Sequence, residues 1–209
     1  MIENYKNYLD MLNKKLEGFF DRQKPYIFCK KGCTKCCSNA QFPFTEIEFK
    51  YLQEGLNALP LPSQNLIKSN AKKVLEEKIL YKKKWSFGKK KPFTYTCPCL
   101  VNNSCAVYHH RGIICRTFGL LTKTPELKGS NVPFCALQGL NYSSVYDPEK
   151  ELISADMYKK TGFDIEPVAF NVDYKFLTDQ DFAKGYGFEF GEVKPLIEWF
   201  DILFRSTKL

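Results

Sequence analysis

The sequence predicts a helix-rich α+β fold, built as one compact domain over residues 1–209 with irregular loops and room for a small sheet. Several segments carry apolar residues at helical spacing. The nine cysteines fall into two groups inside residues 27–138, where the second group shows no regular periodicity. A hydrophobic fraction of 44% is enough for one core. Residues 139–209 are predicted to form a helical part of the same domain.

The first two helices are predicted from spacing and from a cap. Apolar residues between positions 3 and 20 recur every three or four residues, which is typical of an amphipathic helix. A second helix is predicted to begin at Thr45, because its hydroxyl and Glu48 form a capping-box pattern, and to stop near Gly55.

A third helix is predicted between Pro62 and Lys84, with Ser63 as its N-cap. Its apolar side carries Leu66, Ile67, Val74, Leu75 and Ile79. The lysine run that follows, 82–91, is predicted as an exposed loop.

Two more helices are predicted near the C-terminal end. A short one covers 179–184, is capped by Thr178, and leads into a Gly-rich turn over 185–191. The last covers about 192–205, since Pro195 is tolerated in a first turn. Its stripe is predicted to be core: Leu196, Trp199, Phe200, Leu203 and Phe204.

The chain is expected to reside in the cytoplasm and to have no membrane partner. No stretch approaches the roughly 20 apolar residues of a membrane helix. Residues 1–21 mix charged with apolar side chains, unlike a signal peptide. Cysteines in a reducing compartment stay thiols and serve metal or redox chemistry.

The first cysteine group is a CxxxCxxCC string of Cys29, Cys33, Cys36 and Cys37. Such spacings let a tight turn aim several sulfurs at one metal about 2.3 Å away. Adjacent side chains tend to diverge, so one of the last two cysteines is expected to face a second metal, to bridge two metals or to pack. Nearby lysines would lower the thiol pKa and offset thiolate charge: Lys30, Lys31 and Lys35.

The second cysteine group comprises Cys97, Cys99, Cys105, Cys115 and Cys135. Residues 102–104 predict a turn that returns Cys105 toward Cys97. The guanidinium groups that flank Cys115 suit charged sulfur and belong to Arg111 and Arg116. Two neighbouring histidines are held in reserve as ligands, His109 and His110.

Two other uses of cysteine compete with metal binding. Buried cysteine also serves as a small hydrophobe, which would account for one or two of the nine, Cys99 first. A disulfide framework is disfavoured by the odd number and by the size of the chain. Neither use explains four cysteines within nine residues, so metal ligation is the interpretation that we adopt.

These motifs resemble the YkgJ-type cysteine-cluster proteins, a family described as zinc- or iron-chelating. The resemblance covers about residues 27–138, through CxxxCxxCC followed by Thr45-Glu46, then CPxL, CxVYxxR, CR and a final Cys. It implies eight metal ligands: Cys29, Cys33, Cys36, Cys37, Cys97, Cys105, Cys115 and Cys135. Two positions depart from the pattern, since Gly112 stands where Pro usually follows Arg and Cys99 where an aromatic is common.

The eight cysteines suit either Zn²⁺ or an iron-sulfur cluster. Two four-cysteine zinc sites would use all eight. The Cys97-Pro98 pair is of a kind that recurs beside clusters, and we favour a [4Fe-4S] cluster slightly for the first group.

The resemblance also implies an activity, through the flagellin lysine N-methylase, in which an iron-sulfur cluster is implied in methyl transfer. The chain is therefore predicted to bind metal and to act as a cluster-dependent methyltransferase or redox protein, although a chelating motif alone does not transfer an activity. Radical cleavage of S-adenosylmethionine fits the spacing of the first three cysteines, but Lys35 stands where an aromatic usually precedes the third. Metal sensing, storage or delivery stays open.

The positive charge lies in one segment. The net charge is +8, and residues 68–91 contain ten lysines against two glutamates, so the rest of the chain is balanced. This favours an alternative function, a structural-zinc module whose Lys-rich segment contacts nucleic acid or another acidic partner through 82–91. There Trp85 and Phe87 would stack on bases. A solvated loop explains the same run.

Overall fold

The fold is helix-rich α+β, as predicted, with small two-stranded sheets. The computed structural model describes residues 1–30, 32–39, 41–84, 92–123 and 130–206. The α-helices are α1 Ile2–Arg22, α2 Glu46–Asn57, α3 Leu61–Lys84, α4 Ile113–Thr117, α5 Ala155–Thr161, α6 Tyr174–Leu177, α7 Gln180–Tyr186 and α8 Leu196–Ser206. Short 3₁₀ helices cover Lys24–Tyr26, Cys37–Asn39, Tyr108–His110 and Phe134–Gln138.

The strands form antiparallel two-stranded sheets. They are β1 Pro43–Thr45, β2 Leu100–Val101, β3 Ser104–Cys105, β4 Thr122–Lys123, β5 Ser130–Asn131, β6 Tyr146–Asp147, β7 Leu152–Ile153 and β8 Val193–Pro195. The pairs are β1 with β8, β2 with β3, β4 with β5 and β6 with β7. None of the helices in the described ranges combines the length and apolar character that a bilayer crossing demands.

The chain divides into two compact units, each made of two chain segments. The first unit consists of Met1–Lys31 and Ile113–Glu189, and the second of Gly32–Gly112 and Phe190–Leu209. The prediction of one domain over 1–209 stays a prediction.

The first unit is organised by α1. The buried face of this helix carries Tyr5, Tyr8, Leu9, Leu12 and Leu16, at the spacing that predicted the helix. The Tyr8 hydroxyl donates to the Leu177 carbonyl at 2.6 Å, and the Tyr5 ring packs edge-on against Phe188. A second cluster surrounds Tyr26 and Tyr142, whose rings stack with centroids 5.5 Å apart.

The second unit places α2 and α8 around a buried sheet edge. β1 pairs with β8 so that Phe44 lies opposite Lys194. The Trp199 indole donates to the Phe44 carbonyl at 2.8 Å, and the Phe49 ring stacks on Trp199 at 5.7 Å. These contacts bury the first turns of α8.

The capping box is present as predicted. The Glu48 backbone N–H donates to the Thr45 hydroxyl, and the Thr45 backbone N–H donates to the Glu48 carboxylate at 2.8 Å. Both residues are fully buried. The helix passes through Gly55 and ends at Asn57, because Gly55 provides space for a neighbouring ring rather than a stop.

Several predicted boundaries were wrong. α3 begins at Leu61, so Ser63 lies inside its first turn rather than at the N-cap. Asp179, not Thr178, caps α7, because its carboxylate accepts the Asp181 N–H at 2.8 Å. α8 begins at Leu196 rather than at residue 192, because the preceding residues pair with β1.

The apolar side of α3 is narrower than predicted. Ile67, Ala71 and Val74 are buried, whereas Leu66 and Ile79 are exposed. Residues 82–84 of the predicted loop belong to α3, and 85–91, with Trp85 and Phe87, lie outside the described residues.

Candidate metal centre

The nine cysteines are thiols and are divided between the two units. The second unit contains Cys33, Cys36, Cys37, Cys97, Cys99 and Cys105, and the first contains Cys29, Cys115 and Cys135. The second unit therefore unites members of both sequence groups.

A short 3₁₀ turn positions Cys36 and Cys37. The Ser38 N–H donates to the Thr34 carbonyl at 2.9 Å, and the Asn39 N–H donates to the Cys36 carbonyl at 3.3 Å. The two adjacent side chains, which we expected to diverge, are hydrogen-bonded to each other. The turn therefore presents two thiols on one side.

The β2–β3 hairpin returns Cys105 as predicted. Its two turn residues, Asn102 and Asn103, have φ of 48° and 56°, in the left-handed region that asparagine tolerates. Cys105 lies opposite Leu100, and the Ala106 N–H donates to the Cys99 carbonyl at 2.9 Å. The hairpin therefore brings Cys105 back beside the Cys97–Cys99 segment.

One backbone hydrogen bond joins the two sequence groups. The Cys97 N–H donates to the Cys37 carbonyl at 2.7 Å. Residues sixty positions apart in the chain are thus in direct contact, and the thiols of the turn and of the hairpin act on one another electrostatically.

The surroundings spread the acidity of these thiols over a wide range. The hydrogen bond from the Cys37 side chain lowers the pKa of Cys36 to about 7, against the opposing effect of burial. The hydrogen bond with the Cys99 side chain lowers the pKa of Cys97. Burial raises the pKa of Cys105 to about 11. At neutral pH Cys36 is therefore about half thiolate, whereas Cys105 stays protonated.

Cys99 belongs to this group, although the sequence suggested it as the first cysteine to leave out. Its side chain is 2% exposed and is the hydrogen-bond partner of Cys97. Only Pro98 separates the two cysteines, so the contact is local in the sequence.

Arg111 is the cation of the group. Its charge lowers the pKa of Cys36 and opposes the rise at Cys105. The guanidinium carbon lies 3.9 Å from the centre of the Tyr108 ring, a cation–π contact that holds the side chain. Arg116, which we grouped with it, lies in the first unit and donates to the Asn13 side chain at 3.0 Å.

The two reserved histidines lie on the 3₁₀ turn Tyr108–His110, which packs on α2. The His110 ring lies 4.7 Å from the Tyr51 ring and fills the space over Gly55, where an added Cβ would meet His110 Cγ at 2.5 Å. His109 is exposed, and its carbonyl accepts the Tyr51 hydroxyl at 3.2 Å. Packing accounts for the position of His110.

In the first unit, Asn141 anchors the segment that carries Cys29. Its side-chain oxygen accepts the N–H groups of Phe28 and Cys29, both at 2.9 Å, and its amide donates to the Gly119 carbonyl at 3.0 Å. The Leu140 N–H donates to the Cys135 carbonyl at 3.0 Å. Sequence reasoning missed Asn141, because nothing in its neighbours marks it; it is fully buried.

The donor types fit a soft metal, since thiolates are the ligands that zinc and iron-sulfur clusters use. Within the described part of the chain, no three His, Cys, Asp or Glu side chains are arranged to hold a metal ion.

No protein-family profile, curated protein or solved structure matches the chain. The resemblance to the YkgJ-type proteins therefore stays an interpretation of the cysteine motifs.

Proposed function

We propose that this chain is a metal-binding protein of a reducing compartment such as the cytoplasm, and that cysteine thiolates hold Zn²⁺ or a [4Fe-4S] cluster. The observation that carries the proposal is the hydrogen bond between the Cys97 N–H and the Cys37 carbonyl. It joins the two cysteine strings that predicted the site.

The ligands that we propose first are Cys36, Cys37, Cys97 and Cys105. They lie in one unit, and Cys36, Cys97 and Cys105 influence one another electrostatically. Arg111 supplies positive charge that would offset the negative charge of a thiolate site. The other predicted ligands are Cys29, Cys115 and Cys135, in the first unit, and Cys33, in the second.

The metal decides between the two roles. A cluster supports a redox protein or a cluster-dependent methyltransferase, whereas zinc bound by four thiolates supports a structural module. Anaerobic purification, metal analysis and an absorption spectrum separate the two. Iron with labile sulfide and a broad visible band indicates a cluster; a colourless protein with zinc indicates the structural role.

Serine variants test the ligand assignment. We expect Cys36→Ser and Cys97→Ser each to reduce bound metal per chain, with Ser104→Ala, next to Cys105, as the matched control. Loss of metal in Cys115→Ser or Cys135→Ser would indicate a separate site in the first unit. Folded, metal-free protein after anaerobic purification would contradict the proposal.

A second candidate function rests on α3, which presents a basic surface in the second unit. Exposed lysines follow the helix at Lys68, Lys72, Lys73, Lys82, Lys83 and Lys84. A row of ammonium groups suits the phosphates of a nucleic acid or another acidic partner.

Retention on heparin or single-stranded RNA over a salt series tests this surface. We expect the change of Lys82, Lys83 and Lys84 to Gln to lower the salt needed for elution more than the same change at Lys14, Lys159 and Lys160. An equal decrease in the two variants would show that retention depends only on net charge, and it would contradict the nucleic-acid function.

A further inference from the structure

The second unit contains a cleft of about 400 Å³, a size typical of small-ligand sites. Its walls come from β8, from the first turn of α8, from α3 and from the segment around Phe93. The cleft combines charged groups of both signs with an apolar wall. The charged groups suit the charged part of a ligand, and the wall suits its apolar part.

The charged groups of the cleft are an ammonium and a carboxylate side by side. Lys78, on α3, forms an ion pair with Glu198, in the first turn of α8. Only 16% of the Lys78 side chain is exposed, so its charge is directed along the cleft wall rather than into open solvent. Such a pair complements a ligand that carries both charges on neighbouring atoms.

The apolar wall is aromatic. The rings of Phe93 and Tyr95 stack with centroids 5.7 Å apart and an interplanar angle of 27°, and Ile197 is buried beside the cleft. A flat or branched hydrocarbon group can pack on this surface, where aromatic contact adds to the burial of apolar area.

The start of α8 adds positive potential. The first N–H groups of a helix have no acceptor within the helix and favour an anion. Lys194 also lines the cleft, where its ammonium pairs with Glu192 and lies 5.3 Å from the centre of the Trp199 ring. A carboxylate is therefore favoured near the helix start, whereas the Glu198 carboxylate favours an ammonium group beside it.

We propose that this cleft binds a free α-amino acid with a large apolar side chain. The ligand carboxylate contacts Lys78 and the first turn of α8, its ammonium contacts Glu198, and its side chain packs on Phe93 and Tyr95. The inference does not rest on the proposed metal site.

Calorimetric titration of the unaltered protein with L-phenylalanine tests the proposal. We expect saturable binding of L-phenylalanine. N-acetyl-L-phenylalanine lacks the ammonium and L-phenylalaninamide lacks the carboxylate, so each should bind about tenfold or more weakly than L-phenylalanine. L-Alanine should bind more weakly because it leaves the aromatic wall uncovered.

Charge-removing variants test the residues. Lys78→Gln and Glu198→Gln should each lower the affinity for L-phenylalanine about tenfold. The controls are Lys73→Gln and Glu77→Gln on the exposed part of α3, which should leave the affinity unchanged. If a variant unfolds, the ligand series on the unaltered protein decides. No saturation by L-phenylalanine, L-leucine or L-tryptophan up to about 10 mM would overturn the proposal, as would binding of either blocked analogue as tight as that of L-phenylalanine.

Discussion

At the scale of single residues, the hydrogen bond with Cys37 makes Cys36 unusually acidic. Its lowered pKa means that Cys36 is more than half thiolate above about pH 7, so it should react with iodoacetamide at neutral pH in metal-free protein. We expect a reactivity midpoint near pH 7 at Cys36. Cys105 should stay unreactive until much higher pH, because burial raises its pKa to about 11.

Cys37→Ala tests this origin directly, because it removes the largest cause of the shift. We expect the Cys36 midpoint to rise toward its usual value, as followed by mass spectrometry of the alkylated peptide over a pH series. An unchanged midpoint would show that the side chain of Cys37 has no part in it.

Arg111→Gln should move the same midpoint less. The Arg111 charge is the smallest of the causes that lower the pKa of Cys36, so the midpoint should rise but stay below its usual value. Arg205→Gln, an exposed arginine of the same unit, is the control and should leave it unchanged.

Gly112 is a site where a side chain has no room. A Cβ there would lie 2.7 Å from a ring carbon of Phe44 and 2.9 Å from the Glu48 carboxylate. Gly112→Ala should therefore destabilise the fold by about 1–3 kcal/mol in urea unfolding. Gly18→Ala, with open space around it in α1, is the control and should stabilise slightly.

The same crowding disfavours proline at position 112. A proline at position 112 would bring its Cβ into the space that the Phe44 ring occupies. Gly112 is therefore matched to its neighbours in this chain.

At the scale of elements, the capping box fixes where α2 begins. Thr45→Ala removes the hydroxyl that accepts the Glu48 N–H and donates to the buried Glu48 carboxylate. We therefore expect the free energy of unfolding in urea to fall by about 1–2 kcal/mol. Ser63→Ala is the matched control. Because Ser63 lies inside the first turn of α3, its loss should cost less than about 0.5 kcal/mol. Equal losses would contradict the assignment.

Elements whose cause is local were predictable from the sequence. The spacing along α1 and the cap of α2 act over a few residues, and both were found where expected. The start of α8 was not predictable from the sequence, because residues 193–195 form a strand only through pairing with Pro43–Thr45. No local pattern records a partner about 150 positions away.

At the scale of the whole molecule, the division into two units separates cysteines that the sequence grouped together. Cys29 is only four residues from Cys33, yet they belong to different units. The turn at residues 102–104 returned Cys105 as expected. The grouping of Arg111 with Cys36 depends on tertiary contacts that spacing does not contain.

Removal of metal should loosen the second unit. Structural zinc contributes roughly 10–16 kcal/mol in model peptides, comparable with the stability of a whole domain. We expect a chelator under anaerobic conditions to speed hydrogen exchange of the Cys97 N–H, which binds the Cys37 carbonyl. Amides of α1, in the other unit, serve as the internal control. Unchanged exchange at Cys97 would contradict a metal site there.

The pairing of β1 with β8 sets the order of events during synthesis. Phe44 leaves the ribosome early, but its strand partner and the indole that binds its carbonyl come about 150 residues later. Closing so long a loop is slow, and domains fold as units while the chain is made. The second unit therefore stays incomplete while residues 113–189 emerge, which leaves its thiols accessible to solvent until the final helix packs on α2.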